Sequence, residues 1–464
     1  MAGFFLGAKM VFGFGKLFGG KKNETQAAPA SAAQPAASPA ASTASLQEES
    51  RTAFVRRDAI FNKERRIAGH LYRLQLTDAG LGDLPSERQK AHDDLLLKSL
   101  SLSKDELAWG SQIGFIPLAT ISLDNPWLER LPVENTVILL TLSPETTDGD
   151  ALTTRLEKLR QRGLRFGMVR SPKHPTFAAL LEQVDFAAVN VAESQGGNVR
   201  DFSVALRSAN DIRHLIELIG LNIETFDDQA LCQRCHFTYF HGPFAAGKGE
   251  QWETPKGDPH KLHLMHLLNL AHSNAEIAEL AAALKQDPLL TYRILRYLNS
   301  PAIGLTREIT SIDQALVILG RQRLARWLSV LLFSVKDPDF ADWLLVESSL
   351  TRGRIMEILG QKRFPAAETD HLFITGVFST LDKLLRIPLP EAVDNLRLPT
   401  NIRTALLERA GPYAPLLAVA EACEAFDPNR IAITAESAGL DPRAVNQALM
   451  AATSWASDVT AHWD

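Results

Sequence analysis

The chain of 464 residues has few cysteines, little net charge and no long apolar run. Cys232, Cys235 and Cys423 are too few for a disulfide framework, which favours a reducing compartment. The 49 basic and 54 acidic residues nearly balance, which argues against a nucleic-acid-binding surface. No apolar run reaches membrane-spanning length without a charge. These absences predict a cytoplasmic, multidomain protein with no nucleic-acid partner.

The first 50 residues have the composition of an arm and a linker. Residues 1–22 are rich in Phe, Gly and Lys, and Lys9 and Lys16 interrupt the apolar stretch that a secretory signal needs. The glycines weaken any helix, so the arm is expected to be disordered in isolation. Its phenylalanines and lysines leave open peripheral docking on a membrane or on a partner. Residues 23–50 are mostly Ala, Pro and Ser, which predicts a disordered linker.

Residues 51–250 alternate short apolar runs with amphipathic ones, which predicts an α/β architecture and a (β/α) barrel. Helical spacing is clearest in Ala151–Gln161, which is followed by Gly163 as a C-cap. The predicted strands are Arg66–Leu76, Ile113–Ile121, Thr136–Leu142, Arg165–Val169, Phe186–Val191, Leu218–Glu224 and Phe237–Phe240.

Two segments of this region resemble EAL domains, the cyclic di-GMP phosphodiesterases. Gly69–Gln75 is similar to the opening of that family, and Asn222–Asp228 followed by Phe237–Gly242 is similar to its last two strands. The resemblance implies an EAL-like barrel. In that family a metal-bound water attacks a phosphodiester, and acidic residues with an asparagine hold the metals.

This sequence departs from the family at most of those positions. Leu71 stands where the resemblance places a Glu, Pro117 where it places an Asn, and Leu140 or Thr141 where it places the next Glu. Val169-Arg170 replaces an Asp-Asp pair, Ala188 replaces a Lys, and Leu221 replaces a further Glu. Glu224 alone matches. A lone carboxylate does not hold two divalent cations, so we predict a degenerate barrel with no phosphodiesterase activity, no metal and no cofactor. Arg170 is expected to lie where metals sit in the family, either near a phosphate or in a salt bridge.

Three other clusters have features of functional sites, but the sequence favours structural roles for them. Cys232-Gln233-Arg234-Cys235-His236 has the spacing of haem attachment but no export signal, and it falls on a predicted barrel helix. The histidines His260, His263, His266 and His272 flank apolar residues, which favours surface or capping roles over a metal site. Arg321, Arg323 and Arg326 could meet an acidic partner or phosphates, but a solvated basic face is the default expectation.

Residues 255–464 show helical periodicity and no strand pattern, which predicts an all-α domain of about ten helices. The best-marked helix begins at Asp287-Pro288, where Asp287 is an N-cap residue type and Pro288 suits the first turn. Leu290, Ile294 and Leu298 share its buried face. Capping boxes are predicted at Ser273–Glu276 and Ser311–Gln314.

This second region resembles the HDOD domain, a relative of HD-type phosphohydrolases that lacks their metal ligands. The motif residues that carry the resemblance are Asp287, Pro288, Asn299, Ser300, Pro301, Ser311 and Gly320. Ser379 stands where an active relative has its His-Asp pair. The resemblance implies a signalling protein rather than an enzyme.

Together these observations predict a non-catalytic bacterial scaffold. A degenerate EAL-like barrel and an HDOD domain would form one rigid body that regulates a protein partner in cyclic di-GMP, motility or biofilm signalling. Two alternatives stay open. One is a sensor that binds cyclic di-GMP without turnover, and the other is a divergent metal-dependent hydrolase that uses Glu224 or the histidines.

Overall fold

The computed structural model describes residues 54–75, 86–102, 112–194, 196–208, 215–246, 259–273, 275–298, 309–334 and 338–461. The predictions for the arm, the linker and the motif residues Asn299, Ser300 and Pro301 lie outside these ranges. Within them, no helix is both long and apolar enough to cross a membrane.

Eight strands close into a barrel in the order of the sequence. They are β1 (Phe54–Phe61), β2 (Ile67–Gln75), β3 (Ile113–Ala119), β4 (Thr136–Thr141), β5 (Arg165–Val169), β6 (Phe186–Asn190), β7 (Glu217–Leu221) and β8 (Tyr239–His241). β1 runs antiparallel to both β2 and β8, and the other neighbours are parallel. The predicted barrel is therefore confirmed. Sequence reasoning missed β1, because the charged run Arg56-Arg57-Asp58 interrupts its apolar pattern.

Five helices and three short 3-10 turns belong to the barrel. The helices are α1 (Ser86–Leu102), α2 (Gly149–Arg160), α3 (Phe177–Leu181), α4 (Gly196–Ser208) and α5 (Phe226–Arg234), and the turns are Thr120–Ser122, Pro126–Arg130 and Pro243–Ala246. The helix predicted at Ala151–Gln161 is α2, and the Asp148 side chain caps its N-terminus. Gly163 follows with a φ of 101°, a value that glycine tolerates best.

The remaining described chain is helical and contains no strand. Its helices are α6 (Pro259–His272), α7 (Ile277–Leu284), α8 (Pro288–Leu298), α9 (Ile312–Leu319), α10 (Arg321–Leu332), α11 (Phe340–Gly360), α12 (Ala366–Phe378), α13 (Leu381–Leu385), α14 (Leu389–Asp394), α15 (Thr400–Leu407), α16 (Ala414–Ala425), α17 (Pro428–Ser437) and α18 (Pro442–Ala461). The all-α prediction is confirmed, although the described residues already contain more than the expected ten helices.

The helix with the clearest sequence signals forms as predicted. Asp287 Oδ1 accepts a hydrogen bond from Leu290 N at 2.9 Å, and α8 begins at Pro288. Leu290, Ile294 and Leu298 are all buried. The four-residue spacing therefore marks the face that packs into the core.

The two predicted capping boxes have different outcomes. Ser311 is the N-cap of α9, and its Oγ accepts from Gln314 N at 3.3 Å. The prediction at Ser273 is wrong, because Ser273 directly follows α6 and its Oγ donates to Leu270 O. α7 begins only at Ile277, with Glu276 at its N-cap. Because α6 extends to His272, Ser273 lies at the end of that helix and not at the start of α7.

Gly353 of α11 and Gly376 of α12 allow these two helices to cross at close range. A Cβ at Gly376 would lie 2.6 Å from Gly353 Cα, and a Cβ at Gly353 would lie 2.8 Å from Phe373 O. Both distances are below any real contact, and backbone cannot move aside cheaply. Glycine is required here for close approach rather than for an unusual φ.

Arg326 corrects the prediction of a solvated basic face on α10. Its side chain is almost fully buried and donates from both terminal nitrogens to Glu357, at 2.9 and 2.8 Å. Asp370 accepts a third bond at 3.0 Å, and the guanidinium lies 3.9 Å from the centre of the Phe373 ring. The helix turns Arg326 toward α11 and α12, where two carboxylates compensate its charge.

Replacing Arg326 with Met should destabilise the protein by about 3–5 kcal/mol, because Asp370 loses its ion-pair partner and buried Glu357 keeps only Arg354. Urea unfolding at pH 7 measures the change. Arg403→Met is the matched control, since Arg403 pairs with Asp394 on the exposed surface. It should cost at most about 1 kcal/mol. Equal losses in the two variants would contradict a compensated buried charge.

Candidate functional site

The interior of the barrel is apolar at the positions where the sequence comparison placed chemistry. Side chains alternate across each strand, so every second residue points inward. The inward cluster contains Ile60, Leu71, Phe115, Val137, Leu139, Phe186, Ala188, Ile219 and Leu221, with Ile113, Val169 and Tyr239 packed against it. Four of the predicted degenerate positions, Leu71, Val169, Ala188 and Leu221, thus meet in one hydrophobic cluster.

The other predicted positions divide between the inside and the outside of the barrel. Pro117 shares the inward face of Phe115, and Thr141 shares that of Leu139. Leu140 is on the opposite face and belongs to the outer core. Of the two candidates offered for that site, Thr141 is the one at the barrel mouth.

The expectation that Arg170 occupies the interior is wrong. Arg170 follows Val169 directly and takes the opposite face of the strand. Its guanidinium lies 5.6 Å from the ring centre of Phe202 on α4, outside the barrel. Glu224 lies in the loop after β7 and is exposed. Neither residue therefore joins the interior cluster.

A polar network lies at the mouth of the barrel around Asp58 of β1. Arg56 Nε donates to Asp58 Oδ1 at 2.6 Å, and Arg73 donates to Oδ2 from two nitrogens. His241 Nε2 lies 3.9 Å from Oδ2, while its Nδ1 accepts from Asn222 N. Burial raises the pKa of Asp58, but His241, Arg73 and Arg56 together hold that pKa well below its usual range.

A second buried network joins the barrel to the helical region through Glu347 of α11. Arg57 of β1 donates to Glu347 Oε1, to Thr453 O at 2.7 Å and to Ser457 Oγ at 2.6 Å. His70 Nε2 of β2 lies 2.9 Å from Oε1 of the same carboxylate. Glu347, Arg57 and His70 all have side chains less than one-tenth exposed. This ion pair and its hydrogen bonds thus connect strands β1 and β2 of the barrel to helices α11 and α18.

The ionisation of Glu347 depends on Arg57. Burial by itself raises the pKa of this carboxyl, but Arg57 and the bond from His70 outweigh it and lower the pKa to about 2. Burial and the nearby Arg57 lower the pKa of His70. We therefore describe His70 as a neutral imidazole that donates from Nε2, while Arg57 carries the compensating charge.

Ser379, at the degenerate HD position, is satisfied within the protein. It is the C-cap of α12, and its Oγ donates to Gly376 O and accepts from Arg352 at 2.8 Å. Arg352 also pairs with Glu424 and lies 3.7 Å from Glu421. A guanidinium thus lies beside the serine.

The cysteine motif lies at the end of α5, and the four histidines lie on α6. Cys232 and Cys235 lie on or at the end of α5, both buried and free, and burial raises the pKa of Cys232 to about 12. Of the predicted histidines, His260 and His266 are exposed and His263 and His272 half-buried. Within the described ranges, no three His, Cys, Asp or Glu side chains are grouped to hold a metal ion. The donor atoms of these described residues do not fit a two-metal centre.

Sequence reasoning missed Asp58 and Glu347 as the centres of these networks. Each interrupts a hydrophobic stretch: Asp58 in Phe54–Phe61, and Glu347 after Leu344-Leu345-Val346. A charged residue inside an apolar segment is the signal that would have found both, because burial requires a partner.

Comparison with known proteins adds family information. Residues 261–398 match the family model described as the HDOD domain. The chain is 26% identical over 415 residues to the cyclic di-GMP phosphodiesterase CdgJ of Vibrio cholerae, covering 88% of this chain and 93% of that one. It is 22% identical over 383 residues to the uncharacterized protein YuxH of Bacillus subtilis, covering 80% and 90% respectively.

Solved structures of EAL domains are also similar. One is the Bacillus subtilis protein YkuI with an EAL domain, in complex with cyclic di-GMP and calcium. It has 14% identity and a TM-score of 0.37, and the match covers 56% of this chain and 76% of that one.

Replacing Glu347 with Gln should lower the free energy of unfolding by about 3 kcal/mol at pH 7, from the pKa difference between 4.5 unfolded and about 2 folded. The contribution is fully present above pH 4.5 and is lost as the pH falls through about 2. The difference in the free energy of unfolding between wild type and Glu347→Gln, measured by urea unfolding, should therefore be smaller at pH 3 than at pH 7. Asp313→Asn, which breaks an exposed pair with Lys285, should leave stability unchanged. A free-energy difference that does not change with pH would contradict the stabilising role of the Glu347 charge.

Proposed function

Because this chain is an EAL-HDOD protein, in which an EAL-like barrel precedes an HDOD domain, we propose that it acts without catalysis in cyclic di-GMP-linked bacterial signalling. Its output would be the regulation of a protein partner. The link to cyclic di-GMP comes from the name of the Vibrio cholerae relative, which matches along nearly the whole chain.

One observation carries the proposal that the barrel is non-catalytic. The inward positions Leu71, Val169, Ala188 and Leu221 are hydrocarbon, and they pack against one another instead of facing a ligand. Divalent cations need several oxygen ligands at fixed distances. Asp58 is the carboxylate at the mouth, and two arginines already occupy its oxygens. Glu224 is an exposed carboxylate apart from this network.

The helical domain offers a surface suited to a protein partner. Large apolar side chains are exposed on neighbouring helices α6 to α9: Leu262, Ile277, Tyr292, Val317 and Ile318. Val317 is 68% exposed, although adjacent Leu316 is buried. Exposed apolar side chains on a protein surface are typical of interaction sites when they form one patch. These side chains support the proposal that the protein acts by binding a partner rather than by catalysis.

Phosphodiesterase activity is the rival function, because the relative CdgJ is named for it. It would require metal ligands that differ from those of the resemblance. A sensor that binds cyclic di-GMP without turnover is intermediate between the two. Arg56 and Arg73 at the barrel mouth exceed the charge of their partner Asp58 by one, which favours an anion there.

Purified protein incubated with cyclic di-GMP and either Mg²⁺ or Mn²⁺ should release no linear product, because the described residues of the barrel interior are apolar and offer no carboxylates for a two-metal centre. Chromatography of the nucleotide measures this. CdgJ of Vibrio cholerae, assayed in parallel, is the positive control. Glu224→Gln should behave as wild type. Turnover that this substitution abolishes would establish the rival enzyme function.

A further inference from the structure

A cleft of about 940 Å³ lies between the barrel mouth and the helical domain. β1 and the end of β8 form one wall, and helices α11, α13, α16 and α18 contribute to the other. Asp58 and His241 of the mouth network lie on its barrel side. Clefts of this size between domains accommodate organic ligands.

The cleft is positively charged although the chain as a whole carries a net charge of −5. Its lining includes four carboxylates, Asp58, Asp342, Glu347 and Glu424. Besides Arg57, which Glu347 compensates, six cationic side chains line it: Arg56, Arg73, Lys261, Arg352, Lys383 and Arg386. Three of the carboxylates are already engaged by Arg56 and Arg73, by Arg57, and by Arg352. The excess of positive charge therefore faces the cleft.

Lys383 and Arg386 carry much of that excess. Lys383 is on the short helix α13, and Arg386 is its C-cap residue with φ 56°. Both side chains are exposed. Asp342 accepts a hydrogen bond from Asp339 N as part of the capping box of α11. Arg386 and Lys261 also act on this carboxyl, because burial raises the pKa of Asp342 and their charges oppose that rise. Lys261, Lys383 and Arg386 together therefore carry more positive charge than this one carboxylate compensates.

The same cleft has an aromatic and apolar wall. The guanidinium of Arg56 lies 5.0 Å from the centre of the Phe426 ring, so a cation and an aromatic face are held side by side. Leu344, Leu345 and Leu449 continue the apolar wall. Ser348 Oγ, also in the lining, is buried with no hydrogen-bond partner among the described residues. The wall combines stacking surface, an unused polar group and charge.

We propose that the interdomain cleft binds a nucleotide-type organic phosphate, with the phosphate groups at Lys383 and Arg386 and the base against Phe426. Phosphate oxygens match lysine and arginine donors, and bases stack on aromatic side chains and guanidinium planes. Both domains contribute to the site, so a bound ligand contacts the barrel and the helical domain at once. The site is separate from the apolar interior of the barrel and does not depend on the proposed lack of turnover.

The test uses the full chain, with cyclic di-GMP, GTP and ATP as probes in calorimetric titrations. The double variant Lys383→Gln/Arg386→Gly removes both cations while keeping the fold, because glycine suits the left-handed C-cap. Its melting temperature should equal or exceed that of wild type. At least one probe should bind wild type and bind this variant at least tenfold more weakly.

The matched control is Lys285→Gln/Arg403→Gln, which removes the same charge from exposed ion pairs outside the cleft lining. It should bind as wild type does. Phe426→Leu separates the two halves of the site, since it should weaken nucleotide binding and leave pyrophosphate binding unchanged.

Three outcomes would overturn the proposal. In the first, no probe binds wild type at millimolar concentration. In the second, the cleft variant and the control lose affinity equally, which would indicate a general charge effect. In the third, an acidic peptide binds the cleft and the nucleotides do not. Hydrolysis of cyclic di-GMP would refute the non-catalytic function alone, and loss of binding in the cleft variant would still establish this site.

Discussion

The buried carboxylate of Glu347 is the interaction on which the arrangement of the two domains depends. It accepts from Arg57 of β1, from His70 of β2 and from Ser457 of α18, so strands and helices distant in sequence meet at one charge. Around it, a single hydrophobic cluster extends from the outer layer of the barrel into the helical domain. Phe61, Phe244 and Phe340 add edge-to-face contacts across the same boundary. Removing the charge would leave a buried guanidinium inside that core.

The apolar barrel interior and the charged cleft outside it have opposite chemistry. Inside, hydrocarbon side chains fill the positions that hold metal ligands in the family that the sequence resembles. Outside, cations from both domains line an open cleft. This contrast supports the proposal that the protein acts by binding rather than by bond cleavage.

Much of the fold could be predicted from local sequence. Seven of the eight strands and the helix α8 follow from periodicity and from caps such as Asp287, because these signals depend only on neighbours in the chain. β1 was missed because its charges are compensated by residues far away in sequence. The wrong predictions at Ser273, Arg170 and Arg326 depend on tertiary structure. The role of Ser273 depends on how far α6 extends, and the roles of Arg170 and Arg326 depend on which face of its element each side chain occupies.

The sequence by itself determined the two domain types and the residues at the strand positions where the resemblance places metal ligands, because residue identity and periodicity are local properties. Only the tertiary structure decided where the remaining charges act. It paired Asp58 with Arg56 and Arg73, placed Arg326 in the helical core and joined Arg57 to Glu347. It also brought Lys383 and Arg386 opposite the barrel mouth. Compensation of a buried charge and the lining of a cleft require residues that are close in space and remote in the chain.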